Sequence, residues 1–148
     1  MEQVHQSRTI DTLLAKYAAS HLNPTNEIIH IVCVPVIVFS LLGLVWALYP
    51  LLALAMVLAA LWYYAKLSTP FALGMALMAA LMLGLLAAMP PAAVLPLSIA
   101  IFVLAWIGQF IGHQIEGTKP SFLDDLRFLL IGPLFVLGLL YRRLKLSY

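Results

Sequence analysis

The sequence has very little charge. Of its 148 residues, 9% are charged and 64% are hydrophobic, and from Ile28 to Ile115 the only formal charge is Lys66. A soluble domain must cover its core with a polar surface, and this chain has too few polar residues to do so. The shortage of charge therefore excludes an ordinary soluble protein. It indicates an integral membrane protein with a single domain over residues 1–148.

Two further scarcities limit the possible partners. The net charge is only +2 and the basic residues are scattered, so we expect contacts with anionic membrane lipid and no nucleic-acid partner. Cys33 is the one cysteine and lies in an apolar run, which excludes an intramolecular disulfide and indicates a buried, inert thiol. The polar opening residues predict no secretory signal peptide.

Apolar runs long enough for membrane helices are abundant. They cover about residues 28–48, 71–89 and 92–115, with a shorter run at 51–65. Turn signals separate them at Tyr49-Pro50, Ser68-Thr69-Pro70 and Pro90-Pro91. The pattern predicts an all-α fold in which four transmembrane helices form an antiparallel bundle.

Two further segments flank the four runs. Residues 6–20 place Ile10, Leu13, Leu14 and Tyr17 on one helical face, which predicts an amphipathic helix along the membrane surface. Residues 122–141 form another apolar stretch, which we expect to be broken by Gly132-Pro133. We favour a re-entrant segment over a fifth crossing.

The predicted topology brings two histidines to one face of the membrane. Four crossings place His30, at the start of the first, and His113, at the end of the fourth, on the same side. The basic residues collect on that side, whereas the loop around Pro90 is uncharged. We therefore expect the histidine site to face the cytoplasm. Separately, we expect the membrane to be a bacterial inner membrane.

A third histidine reaches this site only if a helix begins between His21 and His30. Nine residues of unbroken helix would point the two side chains in opposite directions. Asn23 as N-cap and Pro24 as first helical residue avoid this, because His21 then lies in the preceding loop. Asn26 lies one turn from His30 on the same face. The pattern predicts that His21 and His30 converge.

A polar stripe marks the last predicted crossing. Gln109, His113 and Glu116 recur at i, i+4 and i+7 on an otherwise apolar helix. An i, i+3 pair such as His113 and Glu116 can supply two metal ligands, or one ligand and the residue that orients it. Three imidazoles beside a carboxylate suit iron or zinc better than magnesium or calcium.

Other residues have simpler interpretations. We expect His5 to be a solvated side chain and Trp106 to belong to an aromatic belt near the ends of the spans. Lys119 is expected in a solvated loop, although a cation there is a candidate to meet a substrate carboxylate.

The site residues also carry a resemblance to a known family. Tyr17-x3-His21, Asn26-x3-His30 and Pro35, followed by Gln109-Phe-Ile-Gly-His113, Glu116 and Pro120, resemble the membrane family typified by the fungal 2-hydroxy-palmitate dioxygenase. The resemblance extends from about residue 15 to residue 135 and includes the late Gly132-Pro133. Cys33 departs from it, since a small residue, often glycine, is expected at that position.

The resemblance implies an enzyme of fatty-acid α-oxidation. It would use Fe(2+) and dioxygen to convert a long-chain 2-hydroxy fatty acid to the acid one carbon shorter, with release of carbon dioxide. His21, His30 and His113 map onto the family's histidines. We expect Glu116, Gln109 and Asn26 to orient ligands or handle protons, and Tyr17, Asn23 and Lys119 to contact substrate. Whether one or two metal ions bind, and whether Glu116 is a direct ligand, stay open.

Three other classes of protein compete with this interpretation. A haem-binding electron carrier also uses histidines on bundle helices, but it needs facing pairs deep enough to hold a porphyrin. A small-solute or metal transporter should carry polar residues near the bilayer midplane. A purely structural membrane protein would leave the stripe of Gln109, His113 and Glu116 unexplained.

Overall fold

The computed structural model describes residues 8–148, so the expectation for His5 lies outside the described residues. The described part is all-helical, as predicted. Four of its helices are long and apolar enough to cross a membrane. The six α-helices are α1 (Thr9–Ala18), α2 (Pro24–Leu48), α3 (Pro50–Leu67), α4 (Thr69–Ala88), α5 (Pro91–Glu116) and α6 (Phe128–Arg143). The prediction of four membrane helices at α2 to α5 is therefore confirmed to within about four residues at each end.

Helices α2 and α5 form the central pair of the bundle and run antiparallel. Small residues allow their backbones to approach closely. A side chain at Gly43 would collide with Ser98, and one at Gly112 would collide with Asn26. Cys33 fits because Gly108 leaves room for its sulfur, since a Cβ at Gly108 would lie 2.8 Å from Cys33 Sγ. The departure at Cys33 is thus accommodated on the facing helix.

The amphipathic helix α1 covers α6 at one end of the bundle. Its buried face consists of Ile10, Leu13 and Tyr17, whereas Leu14 is only partly buried. Tyr17 packs against Phe135 of α6, with ring centroids 5.0 Å apart. The hydrophobic face predicted from the sequence therefore packs mainly on another helix of the same chain.

Helix α6 has both of its ends at the histidine end of the bundle. Near its start, the Tyr64 hydroxyl at the end of α3 donates to the Leu130 carbonyl at 2.8 Å. Near its end, the Tyr141 hydroxyl donates to the carbonyl of Pro70, at the start of α4, at 2.6 Å. The end of α3 and the start of α4 lie on the same side of the bundle, so α6 does not cross it. This agrees with the re-entrant alternative.

The proline in α6 does not interrupt the helix. Residues 128–143 are helical throughout, although a break at Gly132-Pro133 was expected. The helix also begins at Phe128 and not near residue 122, because residues 121–127 form a short 3-10 turn and a loop. Pro133 cannot donate to the Leu129 carbonyl, which loses that one helical hydrogen bond.

Candidate metal centre

The start of α2 separates the first two histidines as the sequence predicts. Asn23 is the N-cap, and its side-chain oxygen accepts from the backbone N–H of Thr25 at 2.9 Å and of Asn26 at 3.4 Å. Pro24 occupies the first helical position. His21 therefore lies in the loop between α1 and α2 and folds back over the helix end.

Three buried imidazoles converge at this end of the bundle. His21, His30 and His113 are 3%, 1% and 6% exposed, and each offers a ring nitrogen within 4.8 Å of the others. The Nε2 atoms of His30 and His113 are 3.1 Å apart. The ring centroid of His21 lies 4.2 Å from that of His30 and 5.1 Å from that of His113. The predicted convergence of the three side chains is confirmed.

Two of the rings are held with one nitrogen directed into the cluster. His21 Nδ1 contacts the Tyr17 carbonyl at 2.7 Å, and His30 Nδ1 contacts the Asn26 carbonyl at 2.9 Å. A carbonyl only accepts, so each Nδ1 carries the proton and each Nε2 presents a lone pair. Metal-bound histidines are typically oriented in this way by a backbone carbonyl.

The donor set fits a divalent metal ion of the iron or zinc type. His21 Nε2 is buried without a hydrogen-bond partner, and His113 Nδ1 has none of ordinary geometry, only a weaker interaction with the Thr118 backbone. Two nitrogens bound to one ion at about 2.1 Å lie about 3.0 to 3.4 Å apart, which matches the His30 and His113 pair. Three neutral imidazoles favour iron or zinc over cations that prefer oxygen.

Burial supports the neutral form of the loop histidine that metal binding requires. Burial lowers the pKa of His21, against the opposing effects of its bond to Tyr17 and of the Glu116 and Glu27 charges. Metal competes with protons for an imidazole nitrogen, so a lowered pKa favours metal binding at neutral pH.

Glu116 connects α5 to the loop that carries His21. Its carboxylate accepts from the backbone N–H of Leu22 at 2.9 Å and of Asn23 at 2.8 Å, and from the Asn26 side chain at 3.1 Å. The helix ends immediately after it, because Gly117 adopts the left-handed conformation with φ 79°. With three donors engaged, the carboxylate serves here as an anchor for the loop.

A small cavity adjoins the three histidines, and we call it the histidine cavity. Its volume is about 60 Å³. Two buried donors on its wall, Trp106 Nε1 and Gln109 Nε2, have no hydrogen-bond partner. Among the described residues that line it there is no lysine or arginine. The wall consists of Tyr17, His21, His30, Val34, Ile37, Val38, Trp106, Gln109, His113, Pro120, Ser121, Phe122, Phe128, Leu129, Gly132 and Pro133.

The site includes residues that the sequence did not single out for it. Trp106 was expected in the interfacial belt, yet its ring lines the cavity. Ser20 and Ser121 join their hydroxyls at 2.5 Å and connect the end of α1 to the 3-10 turn. Ser20 also contacts His21 Nδ1 at 3.1 Å. Ser20 and Ser121 are about a hundred positions apart, so no local pattern reveals the pair.

The three predicted substrate contacts lie in different places. The Tyr17 ring stacks on His21 with centroids 4.2 Å apart and lines the histidine cavity, and burial raises the pKa of its hydroxyl. The Asn23 side-chain oxygen is occupied by its cap bonds. Lys119 forms an exposed ion pair with Asp124 at 2.7 Å and lines a separate surface groove. Of the three, only Tyr17 adjoins the histidines.

Asn26 and Gln109 lie beside the histidines as expected. Asn26 is fully buried, and its side-chain nitrogen donates to Glu116 while its oxygen has no partner. Gln109 is 4% exposed and lines the histidine cavity. Asn26 thus belongs to the Glu116 anchor, whereas Gln109 presents an amide to the cavity.

Comparison with known proteins assigns this chain to a family. A family model described as 2-hydroxy-palmitic acid dioxygenase Mpo1-like matches residues 7–144. Neither a curated protein nor a solved structure matches the chain. The match covers nearly the whole chain, including the three clustered histidines, Glu116 and Gly132-Pro133. The chain therefore belongs to the Mpo1-like family, which is described as 2-hydroxy-palmitic acid dioxygenase Mpo1-like.

Proposed function

We propose that this protein is an Fe(2+)-dependent dioxygenase that shortens a long-chain 2-hydroxy fatty acid by one carbon. The observation that carries the proposal is the cluster of three buried imidazoles, two of which donate from Nδ1 to a backbone carbonyl and so leave Nε2 able to bind a metal ion. The family's description suggests the class of reaction. A 2-hydroxy acid and dioxygen together contain the atoms of the shorter acid, carbon dioxide and water, so no second reductant is required.

His21, His30 and His113 would hold the iron. When bound, the metal supplies Lewis acidity and redox chemistry toward dioxygen. The Tyr17 and Asn26 carbonyls orient two of these imidazoles, His21 and His30, by accepting a hydrogen bond from each Nδ1. Glu116 and Asn26 hold the His21 loop in place from α5. These two residues would act by positioning a ligand.

The acid end of the substrate would enter the histidine cavity. Its carboxylate and hydroxyl oxygens can accept hydrogen bonds from the unpartnered donors of Trp106 and Gln109. The Tyr17 hydroxyl is a third candidate on the same wall. Lys119 would act earlier, by attracting the carboxylate to the membrane surface, because it lines the outer groove and not this cavity.

The volume beside the histidines disfavours the haem alternative. A porphyrin is a small-molecule ligand of the size that usually occupies a pocket of about 300 Å³ or more. The histidine cavity measures about 60 Å³. Its three imidazoles converge on one point, whereas the two axial ligands of a haem lie on opposite sides of the porphyrin plane. The site suits a bare ion better than a haem.

The site would face the cytoplasm of a bacterial inner membrane. Arg8 bonds to the Tyr148 carbonyl at 2.8 Å, which brings the two termini of the described chain together at the histidine end. Arg142, Arg143 and Lys145 lie at that end too, because α6 does not cross the bundle. This distribution of basic residues favours the cytoplasmic side.

The test begins with anaerobic purification in detergent with iron(II), followed by metal analysis. Addition of 2-hydroxyhexadecanoate and oxygen should then produce the acid one carbon shorter, detected by mass spectrometry. Alanine at His21, His30 or His113 should each sharply lower iron content, whereas alanine at His5 should not. Full iron occupancy without product would overturn the reaction, and absence of bound metal in the wild-type protein would overturn the site.

A further inference from the structure

A second, larger cavity lies next to the histidine cavity inside the bundle. Its volume is about 360 Å³, within the usual range for small-molecule sites. Its lining residues come from α2, α3, α4 and the region around the start of α6, and all are apolar except Tyr64. The Tyr64 hydroxyl is already bonded to the Leu130 carbonyl. The wall therefore suits a hydrocarbon, and we call this space the tail cavity.

The two cavities share a wall. Val38 of α2 and Leu129 and Pro133 of α6 line both of them. One side of this partition faces the histidines and the other faces the apolar space. A ligand with a polar head among the histidines and an apolar tail needs to pass only these three side chains to occupy both cavities.

Helix α2 provides a continuous track between the cavities. Below His30, the lining residues Val34, Ile37, Val38, Leu41 and Leu42 recur at helical spacing on one face. From His30 to Leu42 the helix rises about 18 Å, the length of an extended alkyl chain of about 14 carbons. The track thus has the length of a long-chain fatty acid.

The tail cavity also opens toward the lipid. Leu41 and Met56 on its rim are 42% and 39% exposed on helices that are apolar enough to cross a membrane. Met75, Met78 and Met82 line its α4 side, and methionine side chains adapt readily to ligands of variable shape. A fatty acid dissolved in the bilayer could enter sideways without leaving the apolar phase.

We propose that the hydrocarbon tail of the substrate occupies the tail cavity while its acid end lies in the histidine cavity. This proposal rests on the proposed function, because it takes the 2-hydroxy acid as the ligand. The depth of the tail cavity then sets the preferred chain length. Ala79 on α4 becomes a specificity-determining residue, since it is buried, lines the tail cavity and is remote from the histidines.

The test compares two neighbouring alanines on α4. Ala79→Phe fills the tail cavity, whereas Ala80→Phe adds the same ring at an exposed position outside it. Each methylene excluded from an apolar site costs about fourfold in affinity. If the ring displaces three methylenes, kcat/KM for 2-hydroxyhexadecanoate should fall about 60-fold relative to that for 2-hydroxyoctanoate. Ala80→Phe should leave the ratio unchanged, and an unchanged ratio in an iron-replete Ala79→Phe protein would overturn the proposal.

A photolabel tests the proposal without measuring turnover. This test uses the wild-type protein, so it still applies if Ala79→Phe fails to fold. A 2-hydroxy fatty acid with a diazirine at the end of its tail should crosslink wild-type protein at Met78 or Met82. Unlabelled 2-hydroxyhexadecanoate should suppress this crosslink. Crosslinks confined to exposed lipid-facing residues would overturn the assignment, because the tail would then lie outside the cavity. Crosslinks suppressed only by phospholipid would also overturn it, because a bilayer lipid would then fill the cavity. Specific crosslinking without turnover would refute the proposed reaction alone.

Discussion

The Glu116 carboxylate accepts a hydrogen bond from the Asn26 side chain at 3.1 Å, joining the last turn of α5 to the first turn of α2. The same carboxylate bonds to the backbone of Leu22 and Asn23, next to His21. One histidine of the cluster is on a loop and the other two are on helices. Glu116 thus links the loop that carries His21 to the two helices that carry His30 and His113.

Removal of this link should weaken metal binding without removing a ligand. Partners that orient metal ligands typically contribute about 10- to 100-fold in metal affinity or activity. We expect Glu116→Ala to lower iron affinity by about that factor, measured by anaerobic iron titration, and Glu116→Gln to have a smaller effect. Glu27→Ala, which removes a carboxylate from the first turn of α2, is the matched control. Normal iron affinity in Glu116→Ala would contradict the anchoring role.

Tyr17 should affect substrate binding through its hydroxyl and metal binding through its ring. Tyr17→Phe keeps the ring that stacks on His21 and loses only the hydroxyl at the cavity wall. Loss of one hydrogen bond should raise KM about fivefold with iron content unchanged. Tyr17→Leu also removes the stacking and should lower iron content. The assay pairs steady-state kinetics with metal analysis, and an unchanged KM in Tyr17→Phe would remove the hydroxyl from substrate binding.

Asn23 should contribute to stability and not to substrate binding. Its side-chain oxygen caps α2, and loss of such a cap costs about 1 kcal/mol. We expect Asn23→Ala to lower the free energy of unfolding by this amount in a mixed-detergent titration. Asn23→Ser should largely restore it, because serine also caps helices. A raised KM with unchanged stability would instead support the substrate contact expected from the sequence.

The position of α6 predicts from which side of the membrane introduced cysteines can be labelled. In a Cys33→Ala background, single cysteines at Lys119 and Lys145 should react with an impermeant maleimide from the same side of the membrane. A cysteine at Met89, in the loop between α4 and α5, should react only from the other side. Right-side-out and inverted vesicles distinguish the two cases. Opposite labelling at Lys119 and Lys145 would show that α6 crosses.

Local patterns in the sequence were sufficient to predict most of the fold and part of the site. The lengths of the apolar runs predicted α2 to α5, and the proline and serine residues in the turns predicted where these helices end. The capping residue Asn23 and helical spacing predicted that His21 and His30 converge, and the parity of crossings added His113. The unbroken helix at Gly132-Pro133 could not be predicted, because a proline's effect on a helix depends on the packing around it.

The division between sequence and tertiary structure follows the range of the interactions. Hydrophobicity, capping and helix period act over a few residues, so the sequence by itself determined the membrane class, the helices and the candidate ligands. Only tertiary packing decided that Glu116 anchors the His21 loop, that Trp106 lines the histidine cavity and that Lys119 does not. It also decided that Val38, Leu129 and Pro133 separate two cavities, because side chains far apart in sequence meet only when the helices pack.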